Sequence, residues 1–587
     1  MPGFDSNVTF DATVVLDNSL DFTGAESGTI IPDIFVTHAT DRSVRILLAA
    51  LYCPVVSAPT TRGQMSWAEL EVPGSTARIG EVSWTEFQTP GNWIAPIGVP
   101  TPSFGIDNVT PTFNGGNSLH YYIDNTDPNA TDTSNPNGTP GVPRLTLPTP
   151  WVWAAGTYIE VHGGPYTLPG ASPTFKGNGT APSPVFLTGK GTTRPKLVHT
   201  SDSKFFDGSY FIVEYLDFDR IDTKGTGSFI GVRDCDIHHH PGRNGATVSG
   251  TQIVIYLNHI HHVGNQVTPD DRHGVTCSAV STDVWIVDNE LDHCSGDGVQ
   301  FAHGALPPGP QRVYVGRNVI HDNAENAVDF KTCRGVVVSQ NNMYGHRPGI
   351  GSDGTAVLIG SNGLADPAVN VWVVFNNIHD NELGVRIEAA AGTDGAAGPA
   401  YIVGNLIRNC AKSAVKFDKA GIPIYIVNNT IHSCDTVVTA DWREFFDAEI
   451  WNNIVHTVTG QQFGKHVYIE FQVVAARSAM SNNCFYRGGA SLAIAWGAEI
   501  ETYVDTADMT TRFGGGANNK IEDPLFVNLS GNDFHLQAGS PAVGAAADHA
   551  VYDIFETQFP GQSIKFDFDG VARPQGASWD MGCYERV

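Results

Sequence analysis

Basic residues are scarce in this chain: 34 Lys and Arg stand against 61 Asp and Glu, a formal charge of −27. Nucleic acid and anionic membrane surfaces both demand a basic face, so neither is expected as a partner. Only 16% of residues are charged at all. The nine cysteines are odd in number and scattered, with no C-x-x-C pair and no zinc spacing, so no disulfide framework is expected. No stretch approaches the roughly 20 apolar residues of a membrane-spanning helix, which excludes membrane insertion of that kind. The opening MPGFDSNVTF has neither a basic start nor an apolar run, so no secretory leader is read there.

Turn formers are abundant instead, with 63 Gly and 35 Pro among 587 residues. Such a length exceeds one compact core and implies several domains or an elongated repeat. The composition suits an extracellular β-protein better than a helical cytosolic enzyme.

A repeat decides between these. Asn, any residue, an aliphatic residue and then a polar residue recur as Asn258-His259-Ile260-His261, Asn289-Glu290-Leu291-Asp292 and Asn318-Val319-Ile320-His321. The series continues through Asn341, Asn376, Asn405, Asn429 and Asn453, and Cys235-Asp236-Ile237-His238 begins it with Cys in the Asn place. Members lie about 23 to 35 residues apart, the length of one β-solenoid coil with variable loops. Before each comes a β-branched run such as Asp283-Val284-Trp285-Ile286-Val287, and after each a short alternating strand such as Ala327-Val328-Asp329-Phe330. Period-two alternation puts the valines and phenylalanines inside. Asn at the bend tolerates strained backbone angles and bonds the equivalent amide one coil away, so stacked bends make an internal ladder. Cys294, Cys410 and Cys434 each fall three residues after the aliphatic anchor and read as small buried core residues. The recurring histidines read as surface or ladder residues rather than metal ligands.

Residues 1–118 carry short β-rich stretches without the repeat, and read as a small β-sandwich-like N-terminal module for binding or attachment. From residue 119 the chain reads as one all-β unit to 587. His120-Tyr121-Tyr122-Ile123-Asp124, the turn-rich segment Asn125–Pro140 and Gly156-Thr157-Tyr158-Ile159 open it. Asp523-Pro524-Leu525-Phe526, Gly539-Ser540-Pro541-Ala542 and Trp579-Asp580-Met581-Gly582 stand near its end. These segments resemble the opening and the closing C-terminal coil of right-handed parallel β-helix proteins of the pectin-lyase-like superfamily. The resemblance covers about 120–587. It implies that fold, extracellular location and a polysaccharide partner, with a groove along one sheet where outward side chains of neighbouring coils act together.

Aligning the short second strands gives one outward column of Thr276, Gln300, Asp329, Leu358, Arg386 and Lys416, and a next column of Ser278, Ala302, Lys331, Gly360, Glu388 and Asp418. Asp329, Lys331, Arg386 and Glu388 are the candidate catalytic residues. His273, Asp297, His303 and Lys416 are the candidate substrate-binding residues. Arg386 suits a uronate carboxylate, Lys331 with a lowered pKa suits proton abstraction, and a nearby acid suits the leaving oxygen. Asp329-Phe330-Lys331 is similar to the lysine-base motif of some β-helix polysaccharide lyases, which implies calcium beside the base, although no matching acidic cluster stands in the sequence. Hydrolysis would instead use paired carboxylates, Asp329 with Glu388 or Asp297 with Asp329. The same alternation of charge also makes cross-strand salt bridges that solubilise a face. Two function classes follow: an enzyme cleaving an acidic polysaccharide as a monomer, or a phage tail spike or fibre, commonly a homotrimer, that recognises a bacterial surface glycan.

Overall fold

The computed structural model describes residue 102 and residues 104–587, apart from 170–172, 199–204, 266, 268–269, 302–308, 350–351, 361–367, 389–398, 419–421, 441–446, 457–466, 470–478, 489–491, 497–498 and 504–517. The chain divides into two compact units, Met1–Trp93 and Ile94–Val587. The expected N-terminal module lies, up to residue 101, outside the described residues.

The second unit is a parallel β-helix. Three short strands per coil form three stacks. The first sheet holds Val275–Cys277, Val299–Phe301, Val328–Phe330, Thr355–Ile359, Leu383–Glu388 and Ser413–Asp418, paired in parallel and in register. The second holds the longer strands before the Asn bend, such as Thr282–Val287, Gln311–Gly316 and Arg334–Ser339. The third holds the three-residue strands after it, such as Glu290–Asp292, Val319–His321 and Asn342–Tyr344. The ten-residue strand Phe205–Glu214 pairs with both Ile221–Thr223 and Ser228–Arg233, joining the first two stacks into one 28-stranded sheet; the third has 14 strands. The only α-helix among the described residues is Ala550–Gln558.

The period-two pattern works as expected. Val328 and Phe330 point inward and are fully buried, as are Ile260, Leu291 and Ile320 at the centre of the third-sheet strands. The eight described cysteines are all buried and none is in a disulfide. Cys294, Cys410 and Cys434 share an internal column with Asn323, His346 and Asn381, because Leu291, Ile320, Met343, Ile378, Ile407 and Ile431 are register partners three residues earlier. This is a second polar ladder: Cys294 N–H donates to Asn323 Oδ1 at 3.0 Å and His346 N–H to Asn381 Oδ1 at 3.0 Å.

The Asn ladder runs unbroken from Asn258 to Asn519, two members beyond Asn453. In each step the backbone N–H and side-chain Nδ2 of one Asn both donate to Oδ1 of the next, at 2.9–3.0 Å, as between Asn289 and Asn318 and between Asn453 and Asn483. Nδ2 also donates to a strand carbonyl of the previous coil, Ile286 in the case of Asn318. The strained backbone is not at the Asn, however. The residue before it takes the left-handed conformation, as at Leu257 (φ 56°), Arg317 (φ 55°) and Phe375 (φ 55°). Asn is required for its amide, and the strain falls on a neighbour of any type.

The outer face of the second sheet is covered by the chain itself. At its start, Phe104 packs with Tyr210 and Phe229, and Arg233 donates to the carbonyls of Gly105 and Ile106 while pairing with Glu214. Further on, the segment expected as a closing coil folds back over this face. Helix Ala550–Gln558 sets Phe555 against Trp372, and Trp372 Nε1 donates to Gln558 Oε1 at 3.0 Å. Arg573 and Glu585, both buried, tie the tail together at 2.7 Å. Polar outward columns are left to the first and third sheets.

Asn318→Ala removes an amide that serves two coils at once and leaves buried donors and acceptors on both sides. The expected cost is about 3–5 kcal/mol, read as a lower midpoint of denaturant unfolding, whereas substitution of the exposed Arg312 should shift it little. An unchanged midpoint for Asn318→Ala would mean that the ladder follows the fold and does not hold it.

Candidate functional site

Strand register brings the expected columns together on the first sheet. Thr276, Gln300, Asp329, Leu358, Arg386 and Lys416 are successive register partners, and Glu388 pairs with Asp418. Coils stack roughly 4.8 Å apart. The column is closed at its middle, with Asp329 only 2% exposed, and opens at Arg386 and Lys416, which are half-buried.

Asp329 and Lys331 meet directly: Lys331 Nζ donates to Asp329 Oδ2 at 2.6 Å. Asp329 Oδ1 is buried without a hydrogen-bond partner. Burial and the charge of Asp297 raise the Asp329 carboxyl to about 7, against the opposing pull of Lys331. Lys331 is also raised: the Asp329 carboxylate outweighs burial and holds the ammonium charged. The two directions agree in one way. Above neutrality the pair is carboxylate and ammonium; below it the carboxyl takes a proton and Lys331 keeps its own. A lysine base needs the reverse shift.

Two coils on, Arg386 pairs with Glu388 and reaches Asp353 Oδ2 at 2.6 Å. Asp353, absent from the sequence expectation, sits in the loop ahead of Thr355–Ile359. His303 lies outside the described residues.

His273 and Asp297 occupy the turn that precedes the first-sheet strands, and both are buried. They belong to a third ladder: His273 N–H donates to Asn244 Oδ1, Asp297 N–H to His273 Nδ1, Asn326 N–H to Asp297 Oδ1 and Thr355 N–H to Asn326 Oδ1, all at 3.0–3.1 Å. Asp297 also receives Asn326 Nδ2 at 2.9 Å and Gln300 Nε2 at 3.3 Å. His273 Nδ1 lies 3.2 Å from Asp297 Oδ2 as well. A neutral ring accepts from the Asp297 N–H, and a charged ring donates to its carboxylate. Burial lowers the His273 pKa, but Asp297 and Asp271 outweigh it and raise it overall. Asp297 itself is held low, because His273 and Asn326 overcome its burial.

The group that sequence reading missed is Glu325. It lies in the same turn, partly exposed, with its N–H donating to the carbonyl of Gly296. Gly296 and Gly354 are its counterparts in the neighbouring coils; a Cβ on the first would strike the His273 ring, and on the second the Arg347 backbone. Burial, then Asp297 and Asp271, push Glu325 up to about 8, with Asp329 adding to this. At neutral pH Glu325 therefore keeps its proton, while the exposed Asp271 lies 3.4 Å from His273 Nε2. A turn-by-turn alignment, with Glu325 set between two glycines, was the available signal.

Calcium takes six to eight oxygen ligands. The donors that converge here among the described residues are Asp271, His273 and Asp297, an imidazole and two carboxylates, one of them engaged in the ladder. That set does not fit calcium.

The family model described as "Right handed beta helix region" matches residues 198–343, which with the stacked coils shows a right-handed parallel β-helix. No curated protein matches. Among solved structures, a pectate lyase is 13% identical with TM-score 0.38, covering 83% of this chain and 99% of its own. The A-module of a mannuronan C-5 epimerase from Azotobacter vinelandii is 18% identical with TM-score 0.37, covering 49% and 91%. An alginate lyase of the PL6 family is 13% identical with TM-score 0.39, covering 66% and 53%.

Carboxyl groups of ordinary pKa are ionised by about pH 5. Infrared difference spectra taken from there to about pH 9 should still show protonated carboxyl, lost with apparent midpoints near 7 to 8. Glu325→Gln should remove the upper part. Asp297→Asn should move the remainder to lower pH, since one less negative charge makes ionising Asp329 easier. Spectra flat over this range would contradict the assignment.

Proposed function

We propose that this protein binds an anionic polysaccharide along the first sheet and cleaves it by acid-assisted hydrolysis. What carries this is the partly exposed Glu325, which burial and the buried charge of Asp297 push up to about 8. Such a carboxyl is suited to protonating a glycosidic oxygen. Asp329 is the second proton-holding carboxyl, with Lys331 seated over it. The exposed Asp271 is the counterpart that would activate water.

Arg386 and Lys416 on adjacent coils put two cations along the open end of the column, which favours a carboxylate- or sulfate-bearing chain even though the whole protein is acidic. Arg386 exchanges its partners Asp353 and Glu388 for a substrate carboxylate, so the ion pairs hold the guanidinium in place before substrate arrives. The charged state of Lys331 makes proton abstraction, and hence elimination, the less supported route. An adhesin would use the same binding groups without the acid.

The test is incubation with a panel of uronate-containing, sulfated and neutral glycans, following new reducing ends and ultraviolet absorbance together. Reducing ends without absorbance are expected from an anionic glycan. Glu325→Gln should lower kcat by about 10²–10⁴-fold, and Arg386→Ala should mainly raise KM. Rising absorbance would replace hydrolysis by elimination. Binding with no product would leave an adhesin, and neither binding nor product would sink the reading.

A further inference from the structure

The outer face of the third sheet presents histidine and carboxylate in a grid. Its strands have their middle residue inside, as at Ile237, Ile260 and Leu291, so the residues on either side face outward. Asp236↔His259↔Glu290 and His238↔His261↔Asp292 are the two columns by register. The next residue in each coil, His239, His262 and His293, takes the left-handed conformation (φ 51–62°) and forms a third. The rings stack coil on coil: His239 on His262 at 5.1 Å, and His262 on His293 at 4.8 Å.

Within this grid the ring nitrogens have distinct partners. His259 Nε2 lies 2.5 Å from Asp292 Oδ1, which takes its N–H and puts the lone pair on Nδ1. That Nδ1 is 3.7 Å from Asp236 Oδ1. His261 Nδ1 faces His262 Nδ1 at 2.8 Å; with the proton of this contact on His261, its lone pair is on Nε2, 3.0 Å from the same Asp236 Oδ1. Two imidazole nitrogens and one carboxylate oxygen thus lie within 4.8 Å of one another; the two rings stack at 3.8 Å, so an ion is taken up with a turn of one ring about its side-chain torsions. An ion bound tetrahedrally at 2.0–2.1 Å sets its donors roughly 3.3 Å apart, between the two distances found. Asp236 is about a third exposed, leaving a side open to solvent and a water ligand.

We propose that Asp236, His259 and His261 form a binding site for a divalent first-row transition ion of the zinc type, with Asp292 orienting His259 from behind. Imidazole with carboxylate suits zinc, nickel or copper, whereas calcium and magnesium take oxygen. A carboxylate on the far nitrogen of a ligating histidine is the usual support of such a site. The histidines further along differ: His321 lies between the carboxylates of Asp322 and Glu290, His379 beside Asp380, and both stack on Tyr344 and not on a histidine of the neighbouring coil that shares their carboxylate. Those keep the surface reading. The site stands on a different sheet from the groove and does not depend on the function proposed there.

The test uses the whole protein, stripped with chelator and titrated with zinc chloride by calorimetry and by competition with a chromogenic chelator. Saturable zinc binding is expected, with calcium unable to displace it. His259→Asn with His261→Asn should abolish the tightest equivalent; Asn is chosen because Asn342 and Asn377 already occupy outward positions on this sheet. Asp292→Asn should keep the stoichiometry and weaken affinity about 10–100-fold. His321→Asn should change nothing, and an unaltered melting temperature in each variant guards against misfolding. No saturable binding up to about 0.1 mM zinc, or binding unaffected by the double substitution, would overturn the site.

Discussion

Everything in this fold depends on bonding from one coil to the next. A β-helix has no globular centre, so each coil is stabilised by the coils above and below it. The strands supply regular backbone hydrogen bonds, but the bends between strands cannot. There the side chains take over, and the Asn ladder is the clearest case: each amide gives two donors and takes two, so its own polar atoms are all satisfied. The chain repeats this solution at the other bends, with the Cys294-Asn323-His346-Asn381 column and with the Asn244-His273-Asp297-Asn326 column. In the last of these, structure and chemistry become hard to separate.

Because a ladder position must accept a backbone N–H from the next coil, Asp297 is buried as an anion and stays one. Burial, together with that fixed negative charge beside the strand carrying Asp329 and the turn carrying Glu325, raises both carboxyls. The site therefore arises where a structural column takes a charged member in place of a neutral Asn. The third sheet shows the same logic on its outer surface. Identical strand geometry in successive coils brings like positions to ring-stacking distance, so a run of histidines in register becomes a stack of rings sharing carboxylate partners.

Much of the fold was legible because the repeat is periodic in the sequence. Val-Asp-Phe, Val-Arg-Ile and Val-Lys-Phe each announce which residue faces out, and the register follows from the Asn spacing. The columns of Asp329, Arg386 and Lys416 could be aligned from those strands alone. Asp271 and Asp353 could not, since they stand in loops whose lengths vary from coil to coil, and Glu325 could be found only by aligning turn against turn. The second sheet's cover was equally hidden. Phe104 and Phe555 lie hundreds of residues apart, and only the folded chain lays both on one face.

The sequence by itself determined the coil, its inward and outward faces and the internal amide ladder, because these rest on near-neighbour patterns that recur. Tertiary structure alone decided which outer face stays open, which carboxyl keeps its proton and which histidines gather around one carboxylate. Those outcomes depend on burial and on charges brought close through space, and neither is encoded at a fixed spacing along the chain.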